Sequence, residues 1–517
     1  MGPPDLTVGE DVTEQFQAMN AQDMRPPPSV FRRIEAHVTR PAAHGKPGAP
    51  EPQVVSNAQN HHRRHAVGTL PNPSRFDGGW RVQLPSGAPV VTPVVYRNRV
   101  LASGGFRSRQ LYAFDARSGE PAWAINLGDD GPSTPACDDG VCVFNTESCT
   151  IFAVDAETGE MLWSWYLGDP LMSAPAIADG VVYTSYPIRG GGSWPDEEQR
   201  PMPSGASHAI GAFDLHTGAL RWSRWIDAEI MSAPVVFMGR VYGATFGGTM
   251  FHFEAETGRL LQARKAMATA APTVIDGALY FSRREDEGGE SWERIVRSAR
   301  DPQVTAQLEG AAGKPGGGEP AAQSTRRAAP YVREDFQSRT EFADESVAND
   351  AANGFSGGAP AAANAGVAAQ LIGRRTVHGL QEFQGSWVLG SRDMNLVTMG
   401  SALVAYDRMT GTERWVVPLE GDLARQGGAL GAPPAEAGGR LVVATLAGKV
   451  LVVDAEGEVE ARLDAGVPLR TQAVVDRGWV YVGSANGQVV ALDSGNPELT
   501  GWPTWAGNPA RTGTGTD

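Results

Sequence analysis

Pairs of short apolar runs, each pair separated by a turn residue, recur along most of the chain. Examples are TPVVYRNRVL from Thr92, APAIADGVVY from Ala174 and APVVFMGRVY from Ala233. Two β-branched runs that flank a turn predict a β-hairpin. Further copies begin at Thr134 and Ala271. The hydrophobic pattern therefore predicts a chain built from short antiparallel strands.

A second repeated piece follows the hairpins. It reads YAFDARSGEPAW at Tyr112–Trp123, FAVDAETGEMLW at Phe152–Trp163 and GAFDLHTGALRW at Gly211–Trp222. It returns as VAYDRMTGTERW at Val404–Trp415, and weaker copies lie at 251–262, 451–462 and 490–495. The acidic residues that mark the copies are Asp115, Asp155, Asp214, Glu254, Asp407, Asp454 and Asp493. The repeat period is about 40 residues.

The recurring spacing of Asp and Gly within this piece predicts a tight turn. Asp accepts hydrogen bonds from nearby backbone N–H groups, and Gly adopts positive φ without a Cβ clash. The predicted turn residues are Asp115, Gly119, Asp155, Gly159, Asp214, Gly218, Asp407 and Gly411. Because these carboxylates recur in every clear copy, we interpret them as turn-forming rather than as catalytic acids or bases.

Four short strands per period are what one blade of a β-propeller requires. Counting hairpins and marks gives an all-β, eight-bladed β-propeller of four-stranded antiparallel blades, with seven blades as the alternative. The last repeat lacks its fourth strand, whereas Trp80–Leu84 has the pattern of a spare strand ahead of the first hairpin. We therefore expect this N-terminal strand to complete the last blade and close the ring.

The chain divides into a propeller and three segments without the repeat. We expect residues 1–75 to form a disordered arm or linker, 76–502 the propeller and 503–517 a C-terminal tail. Within the propeller, residues 300–374 are rich in Gly, Ala and Pro. Such a stretch buries too little apolar surface to offset its ordering entropy, so it is predicted to be a disordered insertion.

Composition supports strands and turns, since 63 Gly and 37 Pro among 517 residues argue against an all-α fold. Acidic residues outnumber basic ones by 59 to 44, for a net charge of −15, which disfavours nucleic acid as a partner. No apolar run approaches the roughly 20 residues that cross a bilayer. Met1–Asn20 carries acidic residues where a secretory signal needs a basic and then an apolar run.

The pattern Ala-x-Asp-x-x-[Ser/Thr]-Gly-x-x-x-Trp, at Ala113–Trp123 and Ala153–Trp163, resembles the tryptophan-docking repeat of the pyrroloquinoline-quinone (PQQ) β-propeller family. The resemblance covers roughly residues 78–502 and includes BamB-like propellers, which lack the cofactor. It implies that a Trp of each repeat locks adjacent blades. The Trp residues concerned are Trp123, Trp163, Trp222 and Trp415. The segment Trp502–Gly513 also resembles one found near the ends of such proteins.

The quinone enzymes of this family carry adjacent cysteines, a Ca²⁺ site, a catalytic Asp and an Arg near the quinone. The sequence has no Cys-Cys pair. We therefore assign no catalytic, cofactor-binding or metal-binding residue and expect no cofactor. The leading hypothesis is a non-enzymatic scaffold that binds a protein or peptide partner through loops or a central funnel. The alternatives are a PQQ- and calcium-dependent dehydrogenase and a ligand-sensing propeller.

Compartment follows from the resemblance alone. It implies the periplasm or the bacterial cell envelope, while the absence of a signal peptide in this sequence leaves a cytoplasmic location open.

Three cysteines fall within one short segment, at Cys137, Cys142 and Cys149. Cys137 and Cys142 occupy the hairpin positions that hold Ile177 and Val182 in the next repeat. If Asp138–Val141 forms the loop, the two face each other across the strands and are candidates for a disulfide. The alternative is that they are small buried hydrophobic side chains, and a metal site lacks an obvious fourth ligand.

Two further groups of residues are candidates for a partner or metal site. Trp194 lies beside Asp196, Glu197 and Glu198 in a long loop, and an aromatic residue on an acidic loop is suited to anchoring a partner. The alternative is an exposed variable loop. The histidines of the predicted arm are interpreted as solvated rather than metal-binding; they are His61, His62 and His65.

The residues expected to line the inner strands are small or apolar. They are Ser133, Ser173, Ser232, Met172 and Met231. A lining without a ring of carboxylates favours the scaffold hypothesis over the dehydrogenase.

Overall fold

The computed structural model describes 18 stretches of the chain. They are residues 3–21, 36–39, 51–53, 70–104, 108–127, 131–146, 150–167, 173–187, 204–268, 271–287, 290–298, 325–327, 388–399, 401–408, 410, 412–421, 430–508 and 510–514. One short helix and a series of strands precede the first hairpin. They are β1 (Glu10–Asp11), α1 (Thr13–Met19), β2 (Ala36–Thr39), β3 (Glu51–Gln53), β4 (Pro73–Phe76) and β5 (Gly79–Gln83).

The remaining strands form consecutive antiparallel sheets, numbered by the chain order of their innermost strands. The first sheet contains β6 (Val94–Tyr96), β7 (Arg99–Ser103), β8 (Gln110–Asp115) and β9 (Pro121–Leu127), and the second contains β10 (Ala136–Asp138), β11 (Val141–Asn145), β12 (Thr150–Asp155) and β13 (Met161–Tyr166). The third sheet contains β14 (Ala176–Ala178), β15 (Val181–Pro187), β16 (His208–Asp214) and β17 (Leu220–Ile226), and the fourth contains β18 (Val235–Phe237), β19 (Arg240–Ala244), β20 (Thr249–Glu254) and β21 (Leu260–Lys265). The fifth sheet contains β22 (Thr273–Ile275), β23 (Ala278–Glu287), β24 (Glu290–Ser298) and β25 (Thr325–Arg327), and the sixth contains β26 (Leu389–Ser391), β27 (Met394–Met399), β28 (Ala402–Asp407) and β29 (Glu413–Pro418). The seventh sheet contains β30 (Ala435–Ala437), β31 (Arg440–Ala444), β32 (Lys449–Val453) and β33 (Val459–Asp464), and the eighth contains β34 (Val474–Asp476), β35 (Trp479–Gly483) and β36 (Gln488–Asp493).

The prediction of an all-β propeller with four-stranded antiparallel blades is confirmed. The strands form eight sheets, and each begins with an innermost strand of three residues. Seven of the sheets follow one regular plan. The fifth departs from it, because β23 and β24 extend to 10 and 9 residues and its sequence lacks the Asp-Gly turn.

The ring is closed by a strand from the other end of the sequence. Strand β5 pairs antiparallel with β36, with Trp80 opposite Ala491 and Gln83 opposite Gln488. Strand β4 then adds to the outer side of β5. The expected completion of the last blade by the N-terminal strand is therefore confirmed.

The core lies between neighbouring sheets. Trp80 and Val82 of the eighth sheet pack in one buried cluster with Val100 and Phe114 of the first. Comparable clusters join the other neighbours, because each inner strand is buried on both of its faces. Sheets that are covered on both faces read as nearly continuous apolar runs, which explains the hairpin sequences.

The expectation of a disordered arm over residues 1–75 is wrong for residues 3–21. These residues pack against the third and fourth sheets, where β1 pairs with β21 and α1 buries Phe16. Strand β2 pairs with β9 at the edge of the first sheet. The arm was predicted from its lack of the repeat, but single strands and one short helix are held by contacts with distant residues.

Two other predicted boundaries change. Strand β25 lies within the predicted insertion 300–374 and pairs with β24; the rest of that range lies outside the described residues. Residues 503–508 and 510–514 of the predicted tail pack inside the ring. Among the described residues, no helix combines the length and the apolar character that crossing a membrane demands.

Candidate functional site

The C-terminal segment, described over residues 502–508 and 510–514, runs beside the innermost strands that line the central channel. Its carbonyl groups accept hydrogen bonds from the middle residue of four innermost strands, in the eighth, first, fourth and fifth sheets. The donors are the backbone N–H groups of Val475, Val95, Val236 and Val274, and the acceptors are the carbonyls of Trp502, Pro503, Ala510 and Thr512, at 2.7, 2.7, 3.1 and 3.3 Å. The inner edges of these strands would otherwise carry unpaired donors. The segment therefore fills part of the predicted funnel with the chain itself.

Large side chains anchor this segment. Trp502 and Trp505 are 0% and 1% exposed, and Trp505 packs with Ala174, Ala233 and Ala271 from three consecutive sheets. The guanidinium of Arg511 lies 4.9 Å from the ring of Trp505. The three alanines lie just before the innermost strands of their sheets, and their small side chains leave space for the indole of Trp505.

A buried polar network joins the second, third and fourth sheets beside their innermost strands. Asn145 Nδ2 donates to the carbonyl of Ser173 at 2.6 Å and to Thr184 Oγ1 at 2.9 Å. The backbone N–H of Ser173 donates to Glu229 Oε1 at 2.7 Å, and the Oγ atoms of Ser173 and Ser185 lie 2.9 Å apart. Of these residues, the sequence predicts only Ser173 near the inner strands; Glu229 has no sequence signal, because it occurs once and belongs to no repeat.

Five Trp residues connect consecutive sheets. Each Nε1 donates to a backbone carbonyl just after the acidic mark of the next sheet, at 2.7 to 3.2 Å. The pairs are Trp80 with Ala116, Trp123 with Ala156, Trp163 with Leu215, Trp222 with Ala255 and Trp415 with Ala455. A Cβ on the turn glycine of the next sheet would lie within 2.8 Å of the indole. The Trp and the Gly of neighbouring repeats therefore fit together in space.

The acidic marks hold the turns. Asp155 Oδ1 accepts hydrogen bonds from the backbone N–H groups of Glu157 and Thr158, at 3.0 and 2.7 Å. Asp115, Asp214 and Asp407 bond in the same way to the residues that follow them. Hydrogen bonds from the Arg221 guanidinium and then from Thr217 lower the pKa of Asp214 to about 2. These carboxylates therefore accept hydrogen bonds from the backbone of their own turns.

Two histidines lie in the third and fourth sheets, where His208 is partly exposed and His252 is buried. Burial lowers the pKa of His208 and of His252 to about 4, so both imidazoles are neutral near pH 7. Because the unfolded chain binds protons near the ordinary pKa of about 6.5, the folded state loses stability as pH falls from about 6.5 to 4. His208 Nδ1 lies 2.8 Å from Ser207 Oγ, and His252 stacks on Tyr242.

Cys137 and Cys142 face each other in the β10–β11 hairpin and are joined by a disulfide. Their Cα atoms are 4.1 Å apart. Ile177 and Val182 oppose each other at the same positions of the next hairpin without any covalent bond. The disulfide is therefore not needed to set this register.

We expect the double variant Cys137→Val, Cys142→Val to fold with the same sheet. For a loop this short, the chain-entropy model gives a loss of roughly 2 kcal/mol on removal of the disulfide. Urea unfolding of wild type and variant would measure the change. A matched control is Ile177→Val in the uncrosslinked hairpin, expected to lose about 1 kcal/mol. A loss above about 4 kcal/mol for the cysteine variant would contradict the interpretation.

Several candidates from the sequence lie outside the described residues. They are the partner loop of Trp194, Asp196, Glu197 and Glu198, together with Gly411, Cys149, Met172, His61, His62 and His65. Within the described ranges, no group of three or more His, Cys, Asp and Glu side chains is placed to hold a metal ion.

The repeats, the antiparallel blades and the inter-sheet Trp contacts define a PQQ-like repeat β-propeller. A family model described as "Outer membrane protein assembly factor BamB" matches residues 77–300 and 399–506. The chain therefore belongs to this family. A search of curated protein sequences found no match.

Solved structures also resemble this chain. BamB from Moraxella catarrhalis is 16% identical over 82% of this chain and 100% of its own, with a TM-score of 0.47. A computationally designed protein, Ika8, is 13% identical over 79% of this chain and 96% of its own, with a TM-score of 0.47. Quinohemoprotein alcohol dehydrogenase from Comamonas testosteroni is 12% identical over 82% and 77%, with a TM-score of 0.48. At these identities, the likeness does not separate a scaffold from an enzyme.

Proposed function

We propose that this protein is a non-enzymatic propeller scaffold that binds a protein or peptide partner through its surface loops and sheet edges. The observation that carries the proposal is the course of residues 502–514 inside the ring. Their carbonyls bond to the innermost strands of four sheets, where a ligand held inside the ring would lie. Binding surfaces for a partner are then found on the outside of the ring.

Charge and family membership support the same proposal. With a net charge of −15, the protein repels nucleic acids, which leaves proteins and peptides as the favoured macromolecular partners. The family description names an outer-membrane assembly factor. We therefore propose the bacterial cell envelope as the compartment, which cell fractionation with antibodies to this chain would test.

In the part of the chain that the structure describes, the outer surface includes strand edges that have no partner strand. Strands β29 and β33 are the last strands of the sixth and seventh sheets within the described part of the chain. Between them lies a groove of about 300 Å³, and Val416 at its rim is 44% exposed. An open strand edge beside such a groove is the geometry that accepts an added strand.

The proposal predicts that the protein does not bind PQQ. Binding of this anion requires a cation and polar partners, because an unpaired buried charge is strongly disfavoured. Titration of PQQ with Ca²⁺ is expected to leave the tryptophan fluorescence unchanged after inner-filter correction. Alcohols and sugars are not expected to reduce a dye acceptor. A quinone alcohol dehydrogenase titrated in parallel is the positive control.

The two alternatives give different results in this experiment. Stoichiometric binding with substrate-dependent dye reduction would replace the scaffold by a dehydrogenase. Stoichiometric binding without turnover would indicate a ligand sensor.

A further inference from the structure

Residues 3–21, termed the N-terminal segment, lie in a groove on the outside of the third and fourth sheets. The segment adds a strand to the edge of the fourth sheet, with Glu10 opposite Lys265 and Asp11 opposite Arg264. The backbone N–H of Val12 continues the contact by donating to the carbonyl of Ala263 at 3.0 Å. This is the geometry by which a sheet edge binds an extended peptide.

Apolar anchors from the segment enter two sockets of the groove. Leu6 and Val8 are 1% and 4% exposed and belong to a buried cluster with Tyr242 of the fourth sheet. Phe16, on α1, packs edge to face on Phe251 with ring centroids 4.8 Å apart. Anchors that are buried this completely carry most of the affinity of a docked peptide.

Polar side chains of the groove bind the backbone of the segment. Gln262 Oε1 accepts from the N–H of Leu6 at 2.7 Å, and the Tyr242 hydroxyl donates to the carbonyl of Pro4 at 2.9 Å. Arg264 Nη1 donates to the carbonyl of Gly9 at 3.0 Å. Such contacts hold the segment in one register along the strand edge.

Other contacts fix the end of the segment. Asn20 exchanges two hydrogen bonds with the backbone of Trp225 on the third sheet, at 2.7 and 3.2 Å. The segment is therefore bound at both ends, by the fourth sheet first and by the third sheet after α1.

The groove is selective for the sequence of the segment. Gly9 has φ +94°, and a Cβ at this position would lie 2.5 Å from the carbonyl oxygen of Lys265. Only glycine fits such a position without movement of the backbone. The sequence that matches the groove has Leu6 and Val8 at alternate positions, then Gly9 and the two-residue strand β1, then a helix that carries Phe16.

We propose that this groove is a peptide-docking site, filled in cis by residues 3–21, which also accepts the same segment from a second copy of the chain. The segment makes its hydrogen bonds and apolar contacts to the groove through groups that an identical segment from another copy reproduces. Exchange of an identical element between copies therefore needs no new contact. This inference does not depend on the scaffold proposal.

The test uses the full chain and a fluorescently labelled synthetic peptide of residues 1–21. In the full-length Phe16→Ala variant, the cis segment loses its aromatic anchor while the groove is unchanged. We expect the peptide, followed by fluorescence anisotropy, to bind this variant at least about tenfold more tightly than wild type. The reason is that an intact cis segment competes at high effective concentration.

Two control peptides establish where the label binds. A peptide with Phe16→Ala lacks the anchor, and a peptide with Gly9→Ala clashes with the edge of β21. Both are expected to bind the Phe16→Ala protein at least about tenfold more weakly than the native peptide. Equal binding of all three peptides would overturn the proposed site.

The remaining outcomes are equally decisive. If the Phe16→Ala protein folds but does not bind the native peptide, or binds it no better than wild type does, the proposal fails. A second full-length variant, Leu6→Ser, covers the case in which Phe16→Ala does not fold. Loss of the fold in both variants would show that the segment belongs to the folding unit and would also overturn the proposal.

Discussion

Truncation of the chain after Gly501 is expected to lower the free energy of unfolding by more than about 5 kcal/mol, or to prevent folding. The truncation removes Trp502 and Trp505, which are almost completely buried. Loss of one buried Trp typically costs about 3 to 5 kcal/mol. It also leaves the N–H groups of four innermost strands without their carbonyl partners. Thermal melting followed by circular dichroism would measure the loss.

Two controls distinguish the effect of losing the C-terminal segment from the effect of shortening the chain. Truncation after Thr514 keeps every contact described for the segment and is expected to melt like the full chain. The point variant Trp505→Ala is expected to lose about 3 to 5 kcal/mol. A protein truncated after Gly501 that melts within about 3 °C of the full chain would show that the segment is dispensable.

Deletion of residues 1–88 is expected to abolish the cooperative fold, because it removes the strand that closes the ring. Without β5, the edge of β36 is open and the buried indole of Trp80 no longer packs between the eighth and first sheets. An open ring also exposes strand edges that template aggregation. Size-exclusion chromatography and thermal melting would show aggregation or a strongly lowered transition.

The matched deletion, residues 1–70, keeps β4 and β5 but removes the N-terminal segment. It is expected to fold with a smaller loss of stability, because it uncovers the groove and the edge of β9 that pairs with β2 but leaves the ring closed. The difference in melting temperature between the two deletion variants then measures how much ring closure contributes to stability. Equal melting temperatures would contradict the closing role of β5.

The repeated parts of this fold could be predicted because each residue type has a local reason to recur. Asp155 and Gly159 form a turn that depends on neighbours within a few residues. The place of Trp80 in the ring was also predictable, since a missing last strand at one end matched a spare strand at the other. Periodicity gives the position of a blade and, by elimination, the strand that closes it.

The single-copy parts could not be predicted, since their structure depends on residues far along the chain. Strand β1 has two residues, and its partner β21 lies about 250 positions later. Phe16 is buried because it packs against Phe251 and other residues of the third and fourth sheets. No local pattern distinguishes such a segment from a flexible arm, and the same holds for Glu229 in the buried polar network.

The pairing of β5 with β36 has a consequence for biosynthesis. Gln83 pairs with Gln488, which the ribosome adds about 400 residues later. At ordinary translation rates, synthesis of the intervening chain takes roughly 20 to 80 seconds. During that time the early strand has no partner on the ribosome, and the growing chain carries open sheets. The ring can close only after β36 has been synthesised, so the edges of the early sheets stay open until then.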